Sequence, residues 1–178
     1  MAALPDLITV AQFLEMPEGG EYCYELHYGE VVALTRPKAR HWKLQSHLRR
    51  LLEPMLRSFG VVEIEAPYRP LAEFALRAAD VAAISRKRFD EIDPDDALRG
   101  APELVIEVRS PSNRKGGLQE LATLCLANGS LQFWIVDEIK KSVTVVRRDG
   151  TTSLFRIGDE LPLSDFGAGV LPVSEIFR

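Results

Sequence analysis

The amino-acid sequence predicts an α+β fold in which one mixed β-sheet is flanked by helices. Two observations lead to this prediction. Segments with the periodicity of amphipathic helices are interleaved with short runs rich in Val, Ile and aromatic residues. Towards each end of the chain, two such runs are separated by turn residues, Tyr28-Gly29 and Asp149-Gly150, which predicts an N-terminal and a C-terminal hairpin. The order of the strands within the sheet does not follow from these patterns.

Three segments have the pattern of helices. The first begins with a capping box formed by Thr9 and Gln12. The longest is expected from residue 39 to about residue 58, because leucines recur there at helical spacing, and Pro54 is expected to kink or end it. The third covers 114–128, where Asn128-Gly129 provides a stop signal.

Strands account for most of the remaining chain. The N-terminal hairpin covers 22–27 and 30–34, and the C-terminal hairpin covers 142–147 and 151–157. Further strands are expected at 61–65, 80–84 and 131–136, with an edge strand at 68–74 that Pro70 interrupts. The acidic segment from Asp90 to Asp96 is expected to be a solvated loop.

The strand predicted at 103–109 is unusual because it mixes charged and apolar residues. Alternation places Leu104, Ile106 and Val108 on one face of this strand. The other face then includes Glu107 and Arg109. A carboxylate and a guanidinium on an apolar strand are costly to bury unless they pair, bind a metal or line a wet cleft. This strand is therefore a candidate functional site.

Length and composition limit the function classes. With 178 residues, of which 46% are hydrophobic and 27% charged, we expect one globular domain spanning 1–178. No apolar run is long enough to span a membrane, and the N-terminal residues lack the features of a signal peptide, so we expect a cytoplasmic protein. Cys23 and Cys125 are far apart in the sequence and are expected to be free thiols.

A net charge of −4 argues against a surface that is broadly attractive to nucleic acid. One segment, 31–52, nevertheless contains no acidic residue and has six cationic ones: Arg36, Lys38, Arg40, Lys43, Arg49 and Arg50. These cations are suited to a phosphate backbone, and Trp42 beside them is suited to stacking on a base. The alternative is an ordinary helix with Trp42 in the core. DNA affinity is expected to be weak and strongly dependent on salt.

Asp80 and Glu107 are the candidate metal ligands. Each lies on a short, largely apolar strand, and neighbouring strands would bring both carboxylates to one end of a sheet. Two carboxylates with a backbone carbonyl and water suit Mg²⁺ or Mn²⁺, because these hard ions prefer oxygen ligands. The alternative is that Asp80 caps a turn and Glu107 lies on a solvent-exposed face, paired with Arg109.

Several motifs together resemble the Uma-two (Uma2) family of restriction-endonuclease-like proteins, within the PD-(D/E)XK nuclease superfamily. The matching segments, in order, are Tyr24-Glu25-Leu26, Gly29-Glu30, His41, Asp80-Val81, residues 102–112, Asn128-Gly129 and residues 134–137. The resemblance implies a restriction-endonuclease-like sheet and a Mg²⁺- or Mn²⁺-dependent endonuclease acting on DNA. It also implies that Asp80, Glu107 and the Val108 carbonyl hold the ion, while Glu25 and His41 line the cleft as ligand, orienting group or base.

The sequence departs from the family pattern on the helix after the acidic strand. Where the family usually has a lysine and, one turn later, a tyrosine, this chain has Leu121 and Cys125. The lysine is expected to orient water or stabilise charge on the phosphate, and Arg109 and Lys115 are the candidate replacements. The alternative function is a family member that has lost catalysis and acts as a DNA-binding or protein-interaction module. A plain structural domain with no role in nucleic-acid chemistry is a third possibility.

Other signals are weaker. His41 and His47 are six residues apart, so they do not share a helix face on which both could bind one metal ion. We expect His47 to lie on an exposed face of the helix and His27 to lie in solvent. Patterns of serine hydrolases, P-loops and dinucleotide-binding folds are absent from the sequence. The strands at 131–136 and 143–146 are expected to be either core or the interface of a homodimer, an assembly that would suit cleavage of two DNA strands.

Overall fold

The computed structural model describes residues 7–17, 22–35, 38–109 and 116–178. Arg36, Lys115 and residues 110–112 of the central motif lie outside the described residues. The helices are α1 (Val10–Leu14), α2 (Ala39–Met55), α3 (Arg86–Asp90), α4 (Gly117–Ala127) and α5 (Val173–Ile176), with a 3₁₀ turn at Ser164–Phe166. Within the described ranges, no helix is long and apolar enough to cross a membrane.

The strands number eleven within the described ranges. They are β1 (Tyr22–His27), β2 (Glu30–Thr35), β3 (Gly60–Arg69), β4 (Arg77–Ser85), β5 (Leu98–Arg99), β6 (Leu104–Val108), β7 (Gln132–Asp137), β8 (Ser142–Arg147), β9 (Thr152–Arg156), β10 (Glu160–Pro162) and β11 (Val170–Pro172).

Seven of these strands form the central sheet, in the order β5-β3-β4-β6-β7-β8-β9. The pairs β3–β5 and β6–β7 are parallel and the others antiparallel, which confirms the predicted mixed sheet. Helix α4 connects the parallel strands β6 and β7, as a crossover requires. Two-stranded sheets at the two ends of the chain, β1–β2 and β10–β11, complete the fold.

Each face of the sheet has its own hydrophobic core. On one face, α2 and the C-terminal segment pack Leu48, Leu52 and Leu163 against Ile106 and Trp134. We call this the α2 face. On the other face, which we call the α4 face, residues of α4 pack against the opposite sides of the same strands. Each fully buried leucine contributes roughly 1.5–3 kcal/mol to stability. Strands β7 and β8 are largely buried between these cores, which identifies them as core rather than as an interface between subunits.

Local patterns predicted most elements correctly. The capping box is formed as expected, with both reciprocal hydrogen bonds between Thr9 and Gln12. In the N-terminal hairpin, Tyr28 and Gly29 both have positive φ, 53° and 84°, which matches the twist of a two-residue hairpin turn.

Two expectations for the middle of the chain were wrong. β3 runs without a break from Gly60 to Arg69, so Tyr68 belongs to this strand and not to a separate edge strand. The acidic segment from Asp90 to Asp96 is not a uniformly solvated loop. Asp90 is the last residue of α3. The Asp96 carboxylate is half-buried and lies 2.8 Å from both Arg69 and Arg99. Sequence patterns cannot show these ion pairs because their partners come from different elements.

β3 and β4 each change face at the same level of the sheet. Val62 and Ile64 of β3 face α2, whereas Ala66 and Tyr68 face α4. Between them Glu65 has φ of 52°, which interrupts the alternation of side chains. β4 changes in the same way, with Val81 and Ala83 facing α2 and Ala79 facing α4.

The two changes of face meet across the β3–β4 ladder. The ladder pairs Ile64 with Val81 and Ala66 with Ala79, so the residues opposite each other at the interruption are Glu65 and Asp80. The irregularity therefore places two carboxylates side by side, close enough for both to accept a hydrogen bond from Gln45 Nε2.

Candidate active site

Asp80 lies at the point where β4 and β6 separate. The backbone ladder between these strands ends at the pair Val81–Ile106. Beyond this pair, the side chain of Asp80, rather than its backbone, is hydrogen-bonded to β6. Its Oδ2 accepts a hydrogen bond from the Val108 backbone N–H at 2.6 Å. Its Oδ1 accepts hydrogen bonds from His41 Nε2 at 2.7 Å and Gln45 Nε2 at 2.8 Å. Three hydrogen bonds thus hold the Asp80 carboxylate between two strands and a helix.

His41 and Gln45 are one turn apart on α2 and therefore point to the same side of the helix. The hydrogen bond to Asp80 raises the pKa of His41; burial opposes this, and the negative charges of Asp80, Glu65 and Glu138 add to it. The imidazolium form is therefore stabilised. A histidine in this state is suited to orienting Asp80 and is poorly suited to acting as a base.

Glu65 is a second carboxylate beside Asp80, and the sequence analysis did not identify it. Its Oε1 accepts a hydrogen bond from Gln45 Nε2, the same nitrogen that donates to Asp80. Burial raises the pKa of Glu65; the Gln45 hydrogen bond lowers it, and the charge of Asp80 raises it further, so the net change is upward. Simple alternation places Glu65 on the same face as Glu63, away from Val62 and Ile64, which is why sequence reasoning overlooked it.

Gln45 was also overlooked, although its spacing from His41 was a usable signal. The side chain is fully buried, and among the described residues its Oε1 has no hydrogen-bond partner. An unpaired buried amide oxygen costs about 1–3 kcal/mol. The arrangement at Asp80 and Glu65 is therefore not optimised for stability alone.

Glu107 belongs to the same electrostatic cluster. The residue is half-buried on β6. Burial raises the pKa of Glu107 well above its ordinary value of 4.5, and the negative charges of Asp80 and Glu25 raise it further, while Arg77 opposes them. Asp80 and Glu107 lie next to the paired residues Val81 and Ile106 on neighbouring strands, and the charge of Asp80 acts on Glu107.

Glu25 reaches the cluster because β1 is tied to the start of β4. Leu26 and Leu76 exchange two backbone hydrogen bonds of 3.0 Å. Glu25 Oε1 accepts a hydrogen bond from the Ala78 N–H at 3.0 Å, and its Oε2 accepts one from His27 at 2.7 Å. Burial raises the pKa of Glu25, but these hydrogen bonds and the charge of Arg77 outweigh burial and leave it below 4.5. His27 therefore contacts the Glu25 carboxylate, and the prediction that His27 lies in solvent was wrong.

Arg77 provides a buried cation at the site. Its side chain is only 12% exposed, and its Nη1 lies 3.4 Å from Glu25 Oε2. Among the described residues its buried Nε has no hydrogen-bond partner. Sequence analysis did not select Arg77, because an arginine at the start of a strand usually lies in solvent.

Arg109 does not pair with Glu107, contrary to the alternative interpretation of this strand. Its Nη1 lies 3.7 Å from Asp137 Oδ2, and its side chain is 47% exposed. The guanidinium is thus directed towards the end of β7, outside the carboxylate cluster.

Leu121 and Cys125 are core residues of α4. The Cys125 Sγ lies 3.4 Å from the Tyr68 hydroxyl. Burial raises the pKa of Cys125 to about 12; the Tyr68 hydrogen bond lowers it and the charge of Glu107 raises it. The thiol is therefore neutral at physiological pH, and this part of α4 supplies neither a cation nor a nucleophile. Both cysteines are free, as expected.

The donor set suits a hard divalent ion. Since the Val108 N–H faces Asp80, the Val108 carbonyl faces the same side of β6, because both groups of a strand residue point the same way. Asp80, Glu107 and this carbonyl offer only oxygen, which Mg²⁺ and Mn²⁺ prefer. Burial and then the charges of Asp80 and Glu25 raise the pKa of Glu107, and a bound cation would stabilise its charged form. Within the described ranges, no three His, Cys, Asp or Glu side chains are arranged to hold a metal, so water would have to complete the coordination.

The basic segment forms the outer surface of α2. Trp42 is 55% exposed, which contradicts the alternative that it lies in the core. Arg40 and Lys43 line a cavity of about 360 Å³, and Lys43 also lines an adjoining one of about 730 Å³. Lys38 precedes α2 and lines neither cavity. His47 is not exposed as expected, but half-buried, with Nε2 2.7 Å from the Glu175 carbonyl oxygen.

Comparison with known proteins agrees with the fold described above. The crystal structure described as "a putative nuclease belonging to DUF820" from Anabaena variabilis ATCC 29413 superposes with a TM-score of 0.80, at 20% sequence identity, over 96% of this chain and 97% of that chain. At this identity the likeness establishes the shared fold. No curated protein sequence matches. The family model Uma2, described as "Putative restriction endonuclease", matches residues 10–173 and supports a nuclease-like function. This chain therefore belongs to the Uma2 family.

Proposed function

We propose that this protein is a Mg²⁺- or Mn²⁺-dependent endonuclease that hydrolyses phosphodiester bonds in DNA. The observation that supports this most directly is the convergence of four carboxylates from four strands where β4 and β6 separate: Glu25, Glu65, Asp80 and Glu107. Such a concentration of negative charge, with an elevated pKa at Glu107, is costly for folding and is typical of a functional site. Membership of the Uma2 family supports the same reaction class.

Asp80, Glu107 and the carbonyl of Val108 would hold the ion. When bound, Mg²⁺ or Mn²⁺ polarises a phosphate oxygen and lowers the pKa of a water ligand. His41 and Gln45 hold the Asp80 carboxylate in a single orientation through their two hydrogen bonds. Positioning of this kind is needed because small displacements of catalytic groups reduce rates strongly.

Glu65 is the best-placed proton acceptor among the carboxylates. Its raised pKa brings it closer to neutrality, where a general base is most effective. Glu25 is less suitable because its pKa is lowered, and His41 is less suitable because its protonated form is stabilised. These two residues therefore act as orienting groups in this proposal.

Arg77 is the candidate for the task that the missing lysine performs elsewhere in the family. Its guanidinium stays protonated, is held by Glu25, and keeps an unpaired buried Nε among the described residues. It can therefore stabilise negative charge on a phosphate without acting as a base. Arg109, which was considered for this task from the sequence, is exposed and directed towards Asp137.

The test is cleavage of supercoiled plasmid and single-stranded DNA with Mg²⁺ or Mn²⁺. We expect Asp80→Ala and Glu107→Ala to abolish cleavage, and Arg77→Ala to reduce it by about 10²–10³-fold. Glu160→Gln, an exposed carboxylate on β10, is the matched control and should cut like the wild type. Mn²⁺ binding by calorimetry provides a readout independent of turnover, and it should be lost in Glu107→Ala. Absence of metal-dependent cleavage in the wild-type protein would refute the proposal.

A second candidate is a family member that binds DNA without cutting it. The observation that favours it is the apolar environment of Leu121 and Cys125, which leaves α4 without a cation at the site. It predicts no Mn²⁺ binding, and no activity gained by Leu121→Lys combined with Cys125→Tyr. Mn²⁺ binding that depends on Glu107 would exclude this candidate.

We also propose that the protein acts as a homodimer, because two sites are suited to cutting two strands. Since β7 and β8 are core strands, the contact would have to use another surface. Sedimentation equilibrium at micromolar concentration should give twice the chain mass of 19.9 kDa, and a value of one chain mass would contradict the dimer.

A further inference from the structure

We propose that the outer surface of α2 binds an unpaired DNA strand, with one base stacked on Trp42. This surface, which we call the α2 groove, consists of the two adjoining cavities that share Lys43, His47 and Arg178. The inference deepens the proposed nuclease function, on which it rests, because it specifies the kind of DNA that is presented to the carboxylate cluster.

The charge of the α2 groove is opposite to that of the whole chain. Six cationic side chains line it, namely Arg40, Lys43, Arg49, Arg50, Lys141 and Arg178, against the acidic residues Glu53 and Glu138. The complete chain has a net charge of −4. A local excess of positive charge on an acidic protein attracts a polyanion to one place rather than to the whole surface.

Only some of these cations have acidic partners. Arg40 lies 3.7 Å from Glu138, and Arg49 lies 3.5 Å from Glu63. Both are partly exposed pairs of the kind that contribute little to stability and can exchange partners. Among the described residues, Lys43 and Arg50 lie within salt-bridge distance of no acid, so they are available to phosphate oxygens.

Trp42 provides the recognition element for a base. The leucine stripe on the inner side of α2 already fills the core, and the indole of Trp42 remains 55% exposed between the cations. An aromatic ring in a cationic groove is the arrangement with which proteins stack successive bases of single strands. Bases inside a duplex are already stacked on one another, so a blunt duplex offers the indole no comparable partner.

Helix α2 and strand β3 contribute residues both to the α2 groove and to the carboxylate cluster. Trp42 directly follows His41, which contacts Asp80, and Ile64, which lines the groove, directly precedes Glu65. A strand held by Trp42 and Lys43 would therefore pass beside the residues proposed to cleave it.

The test is binding of a dT oligonucleotide of about 12 residues in EDTA, at low salt, where no cleavage occurs. The chain has two tryptophans, and Trp134 is completely buried, so fluorescence quenching reports on Trp42. We expect the oligonucleotide to quench the accessible part of the emission. A blunt duplex of equal length should quench weakly, and heparin, a polyanion without bases, should not quench.

Two variants separate stacking from charge. By anisotropy of a labelled oligonucleotide, Trp42→Ala should bind about 5- to 150-fold more weakly. Lys43→Ala should reduce the slope of log K against log salt by about 0.7, the value for one phosphate of a single strand. Arg156→Ala on β9 is the matched control; Arg156 is exposed and alternates with Phe155, which packs on the α2 face, so it lies on the opposite face. This variant should bind like the wild type.

Wild-type affinity in Trp42→Ala, equal quenching by heparin, or tighter binding of the blunt duplex would each overturn the inference. Its failure is distinguishable from failure of the nuclease proposal. Oligonucleotide binding that depends on Trp42, in a protein that does not cut DNA, would support the α2 groove and refute the endonuclease. Cleavage by a protein whose binding does not depend on Trp42 would do the opposite.

Discussion

Glu65 combines an unfavourable backbone conformation with an unfavourable electrostatic position. A non-glycine residue with φ of 52° costs roughly 1–2 kcal/mol. Burial raises the pKa of the Glu65 carboxylate, and the charge of the neighbouring Asp80 raises it further. Two destabilising features at one position, in a strand that is otherwise regular, indicate that the position serves the site rather than the fold.

Replacing Glu65 by glycine should therefore stabilise the protein. Glu65→Gly removes the backbone strain and the repulsion with Asp80, and we expect the free energy of unfolding in urea to rise by about 1 kcal/mol. Glu63→Gly, two residues earlier in β3, is the control and should be destabilising because glycine weakens a regular strand. Equal destabilisation by both substitutions would show that Glu65 is not strained.

Glu107 should make the stability of the protein dependent on pH. The pKa of Glu107 in the folded protein is raised above its ordinary value of 4.5. The contribution of this carboxyl group to the free energy of unfolding is therefore fully present below pH 4.5, and it is lost as the pH rises through the raised pKa. The Glu107→Gln variant has no carboxyl group at this position, so its free energy of unfolding should not fall in this way. In EDTA, we expect the variant to be more stable than the wild type at pH 8, by on the order of 1 kcal/mol or more, and equal to it near pH 4.

Added Mn²⁺ should reverse this order at pH 8. Binding to the folded state stabilises the wild type, whereas the variant lacks one ligand. Urea unfolding at several pH values, with and without Mn²⁺, measures both effects, and Glu160→Gln should show neither. A stability difference between Glu107→Gln and the wild type that does not vary with pH would argue against a perturbed carboxyl at this position.

At the scale of elements, the sequence predicted what depends on neighbouring residues. The hairpin turn at Tyr28-Gly29, the capping box and the leucine stripe of α2 are local patterns, and the structure contains all three. The apolar alternation of β6 also predicted correctly that Leu104, Ile106 and Val108 share a face.

What the sequence could not predict depends on contacts between distant elements. The side-chain positions of Glu65 and Arg77 were missed because periodicity assumes a regular strand, and both residues gain their partners from elsewhere in the fold. The exposure of Trp42 was left open because a tryptophan on an amphipathic helix is as compatible with the core as with a binding surface.

Gly60, at the start of β3, pairs with Ser85 at the end of β4, and the space there is too small for a side chain. A Cβ added at Gly60 would lie 1.9 Å from the Ile84 carbonyl oxygen and 2.8 Å from the Arg86 nitrogen. Both neighbours are backbone atoms and cannot rotate away. We expect Gly60→Ala to destabilise the protein by about 2 kcal/mol or more.

Thermal or urea unfolding measures this effect, and Gly117→Ala is the matched control. A Cβ at Gly117, the first residue of α4, meets no atom of the described residues within 4 Å, so the stability of this variant should stay within about 1 kcal/mol of the wild type. If both variants unfold alike, the packing at the start of β3 is looser than the structure indicates.

At the scale of the whole molecule, the two hydrophobic cores share one sheet. Ile106 faces α2 and Val105 faces α4, although they are adjacent on β6. Neither core can lose its strands without exposing the other, so we predict that 1–178 unfolds as one cooperative domain. Calorimetry should show a single transition with equal calorimetric and van't Hoff enthalpies. Two resolved transitions would contradict a single domain.

The matched change of face in β3 and β4 also limits how this site can be altered. Because Glu65 and Asp80 occupy the same rung, moving either one along its strand by a single residue would turn the following apolar side chains of that strand towards the wrong core. The two acidic positions can therefore be transplanted only as a pair, with Glu65 kept in its left-handed conformation. For protein engineering, the transferable unit is this two-strand module, and a single carboxylate placed on a regular sheet would not reproduce it.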